Sequence, residues 1–396
     1  MAEAAVRVVR DSESSLQWLA LALTPGLGPT KARRVLEFFG GIQGVFRASL
    51  TELEAAGIRA VSAQSLGTGR SMELAQDEIA RAGAAGVTVV AFDDPAYPAE
   101  LKQIYDPPLV LYVRGNVEVI SQPGIAVVGT RHPTPYGTGM AERLACDLAA
   151  RGLVIFSGMA RGVDTAAHRG AISGKGKTVA VFGTGADVVY PKENARLLDQ
   201  FLSLGGAAIS EFPMATFPAP QNFPIRNRII SGLSCGILVV EGAQYSGSAI
   251  TARLAIDQGR EVFAVPGNIT SKMSWGPNLL IKQGAKLVQD WNDVVVDLPP
   301  DVRRHLIESG KNRLLSQGLS DGSATSEGGQ ASLISSQGDV SRRVLEKLSP
   351  DASVHLDTLL EILEDFSPSE LIAALFELEM TGLVKQLPGK NFVRVW

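Results

Sequence analysis

Cysteine and histidine are both scarce in this chain of 396 residues. Two cysteines, Cys146 and Cys235, are too few for a disulfide framework, and two thiols alone cannot complete a tetrahedral zinc site. The four histidines are scattered along the chain, at positions 132, 168, 305 and 355. We therefore expect no metal site and no other cofactor.

Long apolar runs are also missing from the sequence. No stretch approaches the roughly 20 apolar residues that a helix needs to cross a bilayer. The amino terminus lacks the apolar segment of a secretory signal peptide. We expect a cytoplasmic protein that does not enter the membrane.

The common signatures of nucleotide-dependent and covalent catalysis are missing as well. The chain contains neither the Gly-x4-Gly-Lys-Ser/Thr phosphate loop of ATPases nor the Gly-x-Gly-x-x-Gly of dinucleotide sites. No Ser/His/Asp or Cys/His arrangement is evident. These absences indicate a protein that is not an enzyme.

Charge is distributed unevenly along the chain. The net charge is −4, which by itself does not indicate a nucleic-acid-binding protein. Residues 121–300, however, carry 16 Lys and Arg against 13 Asp and Glu, a net +3, so the remainder carries −7. This asymmetry predicts that any polyanion binds to the middle of the chain.

The same middle region alternates short apolar strands with helical segments. Such alternation is typical of an α/β fold with a doubly wound parallel sheet. The strands predicted from the sequence, each with the turn that ends it, are 124–131, 153–158, 178–185, 207–211, 237–241 and 262–267. The crossover helices predicted between them are 136–151, 163–172, 194–204, 225–233 and 248–258.

The pattern divides the chain into four parts. Residues 1–80 are predicted to be helical, residues 81–298 to form the α/β core, residues 299–338 to be a Gly/Ser/Gln-rich linker, and residues 339–396 to form a small domain. Within the first part, Thr24–Ala32 resembles a helix–hairpin–helix element that grips nucleic-acid backbone. An ordinary connection between two helices explains the same residues.

Three helices and a two-stranded hairpin in residues 339–396 predict a winged helix. The third helix, 368–380, carries the acidic side chains Glu370, Glu377 and Glu379 and no Lys or Arg. A helix that enters the major groove needs positive charge against the phosphates. We therefore favour a protein-contact or structural role for this domain.

Several strands of the predicted sheet end in turns that suit phosphate. Gly129–Arg131 supplies an open backbone, a hydroxyl and a guanidinium. Ser157–Asp164, with Arg161, and Ser246–Thr251 each open a helix, where backbone N–H groups and the helix dipole favour anions. Asp164 is interpreted as a helix N-cap and His168, in the helix that follows, as a packed side chain.

The segment Phe223–Arg228 is the densest combination of cationic and aromatic residues. Arg226 and Arg228 bracket Asn227 on what we predict to be the first turn of a helix, and Phe223 offers a ring on which a base stacks. A core position for Phe223 is the alternative. Lys192 would project a charge beside the same crevice, unless Glu193 pairs with it.

Taken together, these turns resemble the DNA-processing protein A (DprA, or Smf) family. The matching pieces run in family order through about residues 90–297: Val128–Arg131, Ser157–Asp164, Ala167–His168, Gly183–Gly185, Tyr190–Lys192, Phe223–Pro224, Arg226–Gly232, Ser246–Ser248, Thr251 and Val265–Gly267.

The resemblance implies an extended Rossmann-like, mostly parallel core with an N-terminal domain of sterile-alpha-motif type and a C-terminal winged helix. It also implies a homodimer that binds single-stranded DNA, protects it during natural transformation and loads the RecA recombinase. Arg131 and Lys192 are the expected phosphate-binding pair, and these two and Arg228 are expected to face one shared groove. The full set of expected contacts is Gly129, Thr130, Arg131, Ser157, Gly158, Arg161, Gly162, Lys192, Asn194, Phe223, Arg226, Asn227, Arg228, Ser246, Gly247, Ser248 and Thr251.

An enzyme of the nucleotide phosphoribohydrolase type is the alternative function for a Rossmann-like fold. Such enzymes carry a Pro-Gly-Gly-x-Gly-Thr-x-x-Glu turn. The corresponding segment, Glu241–Thr251, lacks that pattern. The alternative predicts that free base is released from nucleoside monophosphates.

Overall fold

The computed structural model of the chain describes residues 13–243, 246–306, 339–349, 352–363, 365–380, 383–387 and 389–394. It divides into two compact units, with the division between Leu298 and Pro299. Most of the predicted linker, residues 307–338, lies outside the described residues. Among the described residues, none of the helices combines the length and apolar character needed to cross a bilayer.

Six helices open the first unit, and they share a hydrophobic core with the first two strands. They are α1 (Glu13–Leu23), α2 (Pro29–Phe38), α3 (Ile42–Arg47), α4 (Leu50–Ala55), α5 (Ala60–Gly67) and α6 (Arg70–Ala84). Buried Trp18 and Leu21 belong to the same apolar cluster as Val89 and Tyr112 of the strands. The predicted boundary at residue 80 therefore falls inside one packed unit.

A nine-stranded sheet forms the centre of the first unit. Its strands are β1 (Val87–Ala91), β2 (Val110–Gly115), β3 (Gly124–Val128), β4 (Val154–Ser157), β5 (Thr178–Val181), β6 (Ala207–Ser210), β7 (Gly236–Val239), β8 (Glu261–Ala264) and β9 (Lys286–Leu287). Their order is β1-β2-β6-β5-β4-β3-β7-β8-β9. Strands β3 to β9 pair in parallel, and β1 and β2 add an antiparallel edge.

The connecting helices are close to those that the sequence predicts. They are α7 (Ala99–Lys102), α8 (Pro135–Ala150), α9 (Val163–Ser173), α10 (Ala195–Ser203), α11 (Asn222–Leu233), α12 (Gly247–Asp257), α13 (Trp275–Lys282) and α14 (Trp291–Val295). The predicted starting point of α11 is wrong by three residues, because the helix begins at Asn222 rather than Ile225. Arg226 consequently lies on the second turn, where its side chain is buried.

The strand order creates a crevice between β3 and β7. The chain runs from β3 towards β4 on one side of the sheet and returns to β7 on the other side of β3. Ligands of doubly wound sheets bind outside the carboxyl ends of the strands at such a switch point. This topology predicts that a ligand binds at the turns after Val128 and Val239.

The second unit contains three helices and a small antiparallel sheet. They are α15 (Asp339–Lys347), α16 (Leu356–Ile362), α17 (Pro368–Met380) and the strands β10 (Val354–His355), β11 (Val384–Leu387) and β12 (Asn391–Arg394), ordered β10-β12-β11. The sequence did not predict β10. On α17, Glu370 and Glu379 are exposed, and the side chain of Glu377 lies outside what the structure describes.

Candidate nucleic-acid interface

A cavity of about 780 Å³ opens at the switch point between β3 and β7. Its lining includes many of the predicted contacts: Gly129, Thr130, Arg131, Phe223, Arg226, Asn227, Ser246, Gly247, Ser248 and Thr251. These residues come from three segments that are distant in sequence. The fold thus brings the turn after β3 together with the first turns of α11 and α12.

The amino-terminal end of α12 forms one wall of the cavity. Ser246 occupies the N-cap position, but its side chain makes no capping hydrogen bond to the helix. Its hydroxyl instead lies 2.8 Å from the Ser248 hydroxyl. The first turn of a helix presents N–H groups without intrahelical partners, and the helix dipole adds positive potential there. An anion is the ligand that suits this wall.

Aromatic side chains and the exposed Arg131 form another part of the cavity lining. The Phe223 ring is half-buried, and the Tyr190 ring lies 5.7 Å from it, centroid to centroid. The guanidinium carbon of Arg131 lies 5.5 Å from the Phe223 centroid. A flat π surface next to a cation suits a nucleobase and its phosphate. Phe223 therefore belongs to the cavity wall rather than to the interior core.

Arg226 is buried beneath this wall and is held by backbone oxygen atoms. Its Nη1 donates to the Gly158 carbonyl at 2.6 Å and also to the Val181 carbonyl. Desolvation lowers the pKa of Arg226 to about 10, so the guanidinium stays charged at neutral pH. Asp164 is buried nearby; burial raises the pKa of its carboxyl group, and the charge of Arg226 acts in the opposite direction. Arg226 supplies a fixed positive charge under the cavity.

Two predicted glycine contacts have a steric role in the structure. A Cβ on Gly158 would lie 2.3 Å from Nη1 of Arg226, so only glycine leaves room for the guanidinium. Gly162 has a φ of +78°, and a Cβ there would lie 2.5 Å from the Thr130 carbonyl oxygen. Both glycines lie outside the cavity lining, and they allow the neighbouring loops to pack closely.

Arg228 does not share a groove with Arg131, so that expectation is wrong. Its Nε lies 3.0 Å from Asp106 and its Nη2 lies 2.5 Å from Glu211, and its side chain is only 8% exposed. Arg228 lines a neighbouring cavity instead. Two carboxylates that are distant in sequence turn the side chain away from the switch point.

Lys192 is exposed but is not part of the cavity lining. Glu193 does not pair with it, because both carboxylate oxygens of Glu193 accept hydrogen bonds from Arg161, at 2.5 and 2.8 Å. Within the described residues, Lys192 makes no ion pair. Of Lys192 and Arg161, Lys192 is therefore the more available for a phosphate, because Arg161 is paired with Glu193 at the surface.

Asn194 and Ser157 are buried and serve the scaffold. The Asn194 amide donates to the Met159 carbonyl at 3.0 Å and to the Thr165 hydroxyl at 2.9 Å. The Ser157 hydroxyl donates to the Val127 carbonyl at 2.7 Å and joins β4 to β3. Neither side chain lines the cavity.

Asp164 and His168 of α9 adopt internal roles. The carboxylate of Asp164 accepts from the Gly158 and Ala160 N–H groups, each at 3.2 Å. The N-cap of α9 is Gly162, so the N-cap interpretation of Asp164 is wrong by two residues. His168 is fully buried against Phe201, and burial lowers its pKa to about 3, as a packed neutral imidazole requires.

The structure adds cavity residues that were not among the expected contacts. Tyr190 joins the aromatic wall, Pro218 and Pro220 contribute from the loop after β6, and Ile230 and Ile250 contribute apolar surface. The high proline content of the segment after β6 is the feature of the sequence from which Pro218 and Pro220 could have been predicted. The isoleucines lie inside helices, where nothing in the sequence distinguishes a cavity wall from the core.

Comparison with known proteins decides the family. The family model described as DNA recombination-mediator protein A matches residues 88–299, and the DprA winged-helix model matches residues 330–390. The chain belongs to the DprA/Smf family. The resemblance predicted from the strand-end turns is confirmed, and so is the α/β fold with its C-terminal winged helix.

Individual DprA/Smf proteins match over different lengths. Protein Smf of Synechocystis is 30% identical over 396 residues, which is 95% of this chain and 98% of the relative. DNA processing protein DprA of Bacillus subtilis is 43% identical over 215 residues, 54% of this chain and 72% of the relative. The X-ray structure of DprA from Streptococcus pneumoniae aligns with a TM-score of 0.63 at 34% identity, covering 72% of this chain and 98% of that one.

Proposed function

We propose that this protein binds single-stranded DNA in the cavity at the β3–β7 switch point. The observation that supports this most directly is the composition of the cavity. One wall is the amino-terminal end of α12, the other carries Arg131 beside the Phe223 and Tyr190 rings, and Arg226 lies beneath. Phosphate suits the first wall, and an unpaired base suits the second.

We further propose that the bound strand is delivered to RecA and protected during natural transformation or homologous recombination. Membership of the DprA/Smf family supports this role, and we propose a homodimer as the active form. No catalytic role is proposed, because Asp164, which lines the cavity, and Glu241, at the start of the segment where the phosphoribohydrolase turn would lie, are both hydrogen-bonded to other residues of the chain. Asp164 accepts from two N–H groups, and Glu241 accepts from Thr134. This engagement argues against the phosphoribohydrolase alternative.

Arg131→Ala should weaken binding to a fluorescent single-stranded oligonucleotide about tenfold at moderate salt, since a hydrogen bond to a charged group is removed. The slope of log affinity against log salt should become shallower by about 0.7, the value for one lost phosphate contact on a single strand. Fluorescence anisotropy over a salt series measures both quantities. Lys192→Ala tests the second predicted cation in the same way.

Arg143→Ala is the matched control, because Arg143 is an exposed arginine of α8 that does not line the cavity. Its affinity and salt slope should equal those of the unmodified protein. Equal affinity and slope for Arg131→Ala as well would refute the assignment of this cavity to DNA.

A further inference from the structure

A second cavity, of about 770 Å³, lies directly beside the first. The two share the wall residues Pro224 and Ile250. The two cavities are therefore contiguous. A DNA strand bound in the first cavity can continue past these residues into the second. The expected contacts predicted from the sequence include one residue of this second cavity, Arg228.

Exposed apolar side chains surround its mouth. Tyr105 is 74% exposed, and Ile225 and Ile250 are 44% and 47% exposed. All three line the cavity, together with the half-buried Leu254. An aromatic ring that is mostly exposed beside aliphatic walls offers a stacking surface for a flat ligand.

The charges inside disfavour a phosphate. Arg228 is already paired with Asp106 and Glu211, so little of its positive charge remains for an anion, and the lining includes a further carboxylate, Asp257. Carboxylate oxygens are hydrogen-bond acceptors and match the amino groups of nucleobases. The interior thus suits a neutral group that donates hydrogen bonds and repels an anion.

Positive charge lies outside the cavity, on α2. The Arg33 guanidinium donates to the Tyr105 carbonyl at 3.4 Å, so α2 lies next to the mouth. Arg33 also pairs with Glu37 at 3.3 Å, but an exposed pair of this kind contributes only about 0–1 kcal/mol, so a phosphate can compete for the guanidinium. Lys31 and Arg34 of the same helix are also exposed. A phosphate at the mouth would meet these cations while its base occupied the cavity. The hairpin between α1 and α2 would therefore lie close to the bound DNA strand.

We propose that the second cavity binds the base of a further nucleotide of the same DNA strand, stacked on Tyr105, with its phosphate held by Arg33 of α2. This inference rests on the proposed function of the first cavity and extends it to a second subsite. Because the walls accept hydrogen bonds, bases with an exocyclic amino group are the preferred occupants.

Oligonucleotides lengthened one nucleotide at a time test the subsite. The affinity of the unmodified protein should rise about tenfold at the length that reaches the second cavity, which is within the range contributed by one stacked base. An abasic nucleotide added at that position keeps the phosphate but lacks the base, so it should give a clearly smaller gain. In Tyr105→Ala, the gain should fall to that of the abasic nucleotide, and the salt slope should be unchanged because no phosphate contact is lost.

Arg33→Ala should instead make the salt slope shallower by about 0.7 for the longer oligonucleotides only. Phe38→Ala is the control, since Phe38 is an exposed aromatic residue that lines neither cavity. If Tyr105→Ala keeps the full gain while Arg131→Ala loses affinity at every length, the second subsite is refuted and the first stands. If Arg131→Ala is without effect, the proposed function itself fails.

Discussion

At the scale of single residues, the buried guanidinium of Arg226 depends on the absence of a side chain at Gly158. A Cβ at that position would approach three atoms of the guanidinium to between 2.3 and 2.7 Å. Gly158→Ala should therefore displace the guanidinium from the Gly158 and Val181 carbonyls and cost about 1–3 kcal/mol, as overpacking of a buried site does. Urea denaturation measures this loss directly.

Gly139→Ala provides the comparison, because Gly139 lies exposed within α8 and a Cβ there meets nothing within 4 Å. Alanine is the better helix former by roughly 1 kcal/mol, so this variant should be as stable as the unmodified protein or more so. If the two alanine variants were equally stable, the guanidinium of Arg226 would move aside without lowering the free energy of unfolding.

The residue types at the site were predictable from the sequence, but the direction of each side chain was not. Thr130 and Arg131 follow a buried strand directly, so the strand end fixes their place at the cavity. Arg228 has the same chemistry as Arg131, yet Asp106 and Glu211 hold it elsewhere. Those partners lie 122 and 17 residues away along the chain, beyond the reach of any local pattern.

At the scale of elements, α6 holds the loop that supplies one side of the cavity. Glu78 of α6 is fully buried, and its carboxylate accepts from the Met214 N–H at 2.6 Å. Arg81 pairs with the same carboxylate at 2.6 Å. Pro218 and Pro220, farther along the loop that contains Met214, line the cavity. The N-terminal helices thus take part in shaping the site.

Glu78→Ala should lower the free energy of unfolding by roughly 1–3 kcal/mol, because the buried Met214 N–H loses its hydrogen-bond partner. Hydrogen exchange of the Met214 amide should also become faster. Urea denaturation and exchange followed by mass spectrometry measure these two effects.

Glu73→Ala removes an exposed carboxylate from the same helix, where Glu73 pairs with Arg70 at 3.1 Å. A surface pair of this kind contributes about 0–1 kcal/mol, and exchange at Met214 should stay unchanged. Similar losses in both variants would mean that Glu78 does not hold the loop.

The elements themselves were largely predictable. Helices α8, α9, α10 and α12 begin and end within one residue of the predicted limits, because each carries a regular apolar face between Gly or polar turns. The attachment of α1–α6 to the sheet edge formed by β1 and β2 was not predictable. It depends on packing between segments that are far apart in the sequence, and no local sequence pattern indicates that they are in contact.

At the scale of the whole molecule, the two units have separate hydrophobic cores. The core of the second unit is built from residues of α15–α17 and the small sheet, including Val344, Leu371, Leu378 and Phe392. Every described residue that lines either cavity belongs to the first unit. The exposed Glu370 and Glu379 of α17 give this helix little attraction for phosphate.

A chain that ends at Leu298 should therefore fold and bind single-stranded DNA with an affinity within about twofold of the full chain, since no proposed phosphate contact is removed. Its salt slope should be the same. Thermal denaturation and anisotropy on the two chains, measured side by side, provide the comparison. A loss of affinity together with a shallower salt slope would show instead that the winged helix contacts the strand, and the proposal that it serves a protein contact would then have to be abandoned.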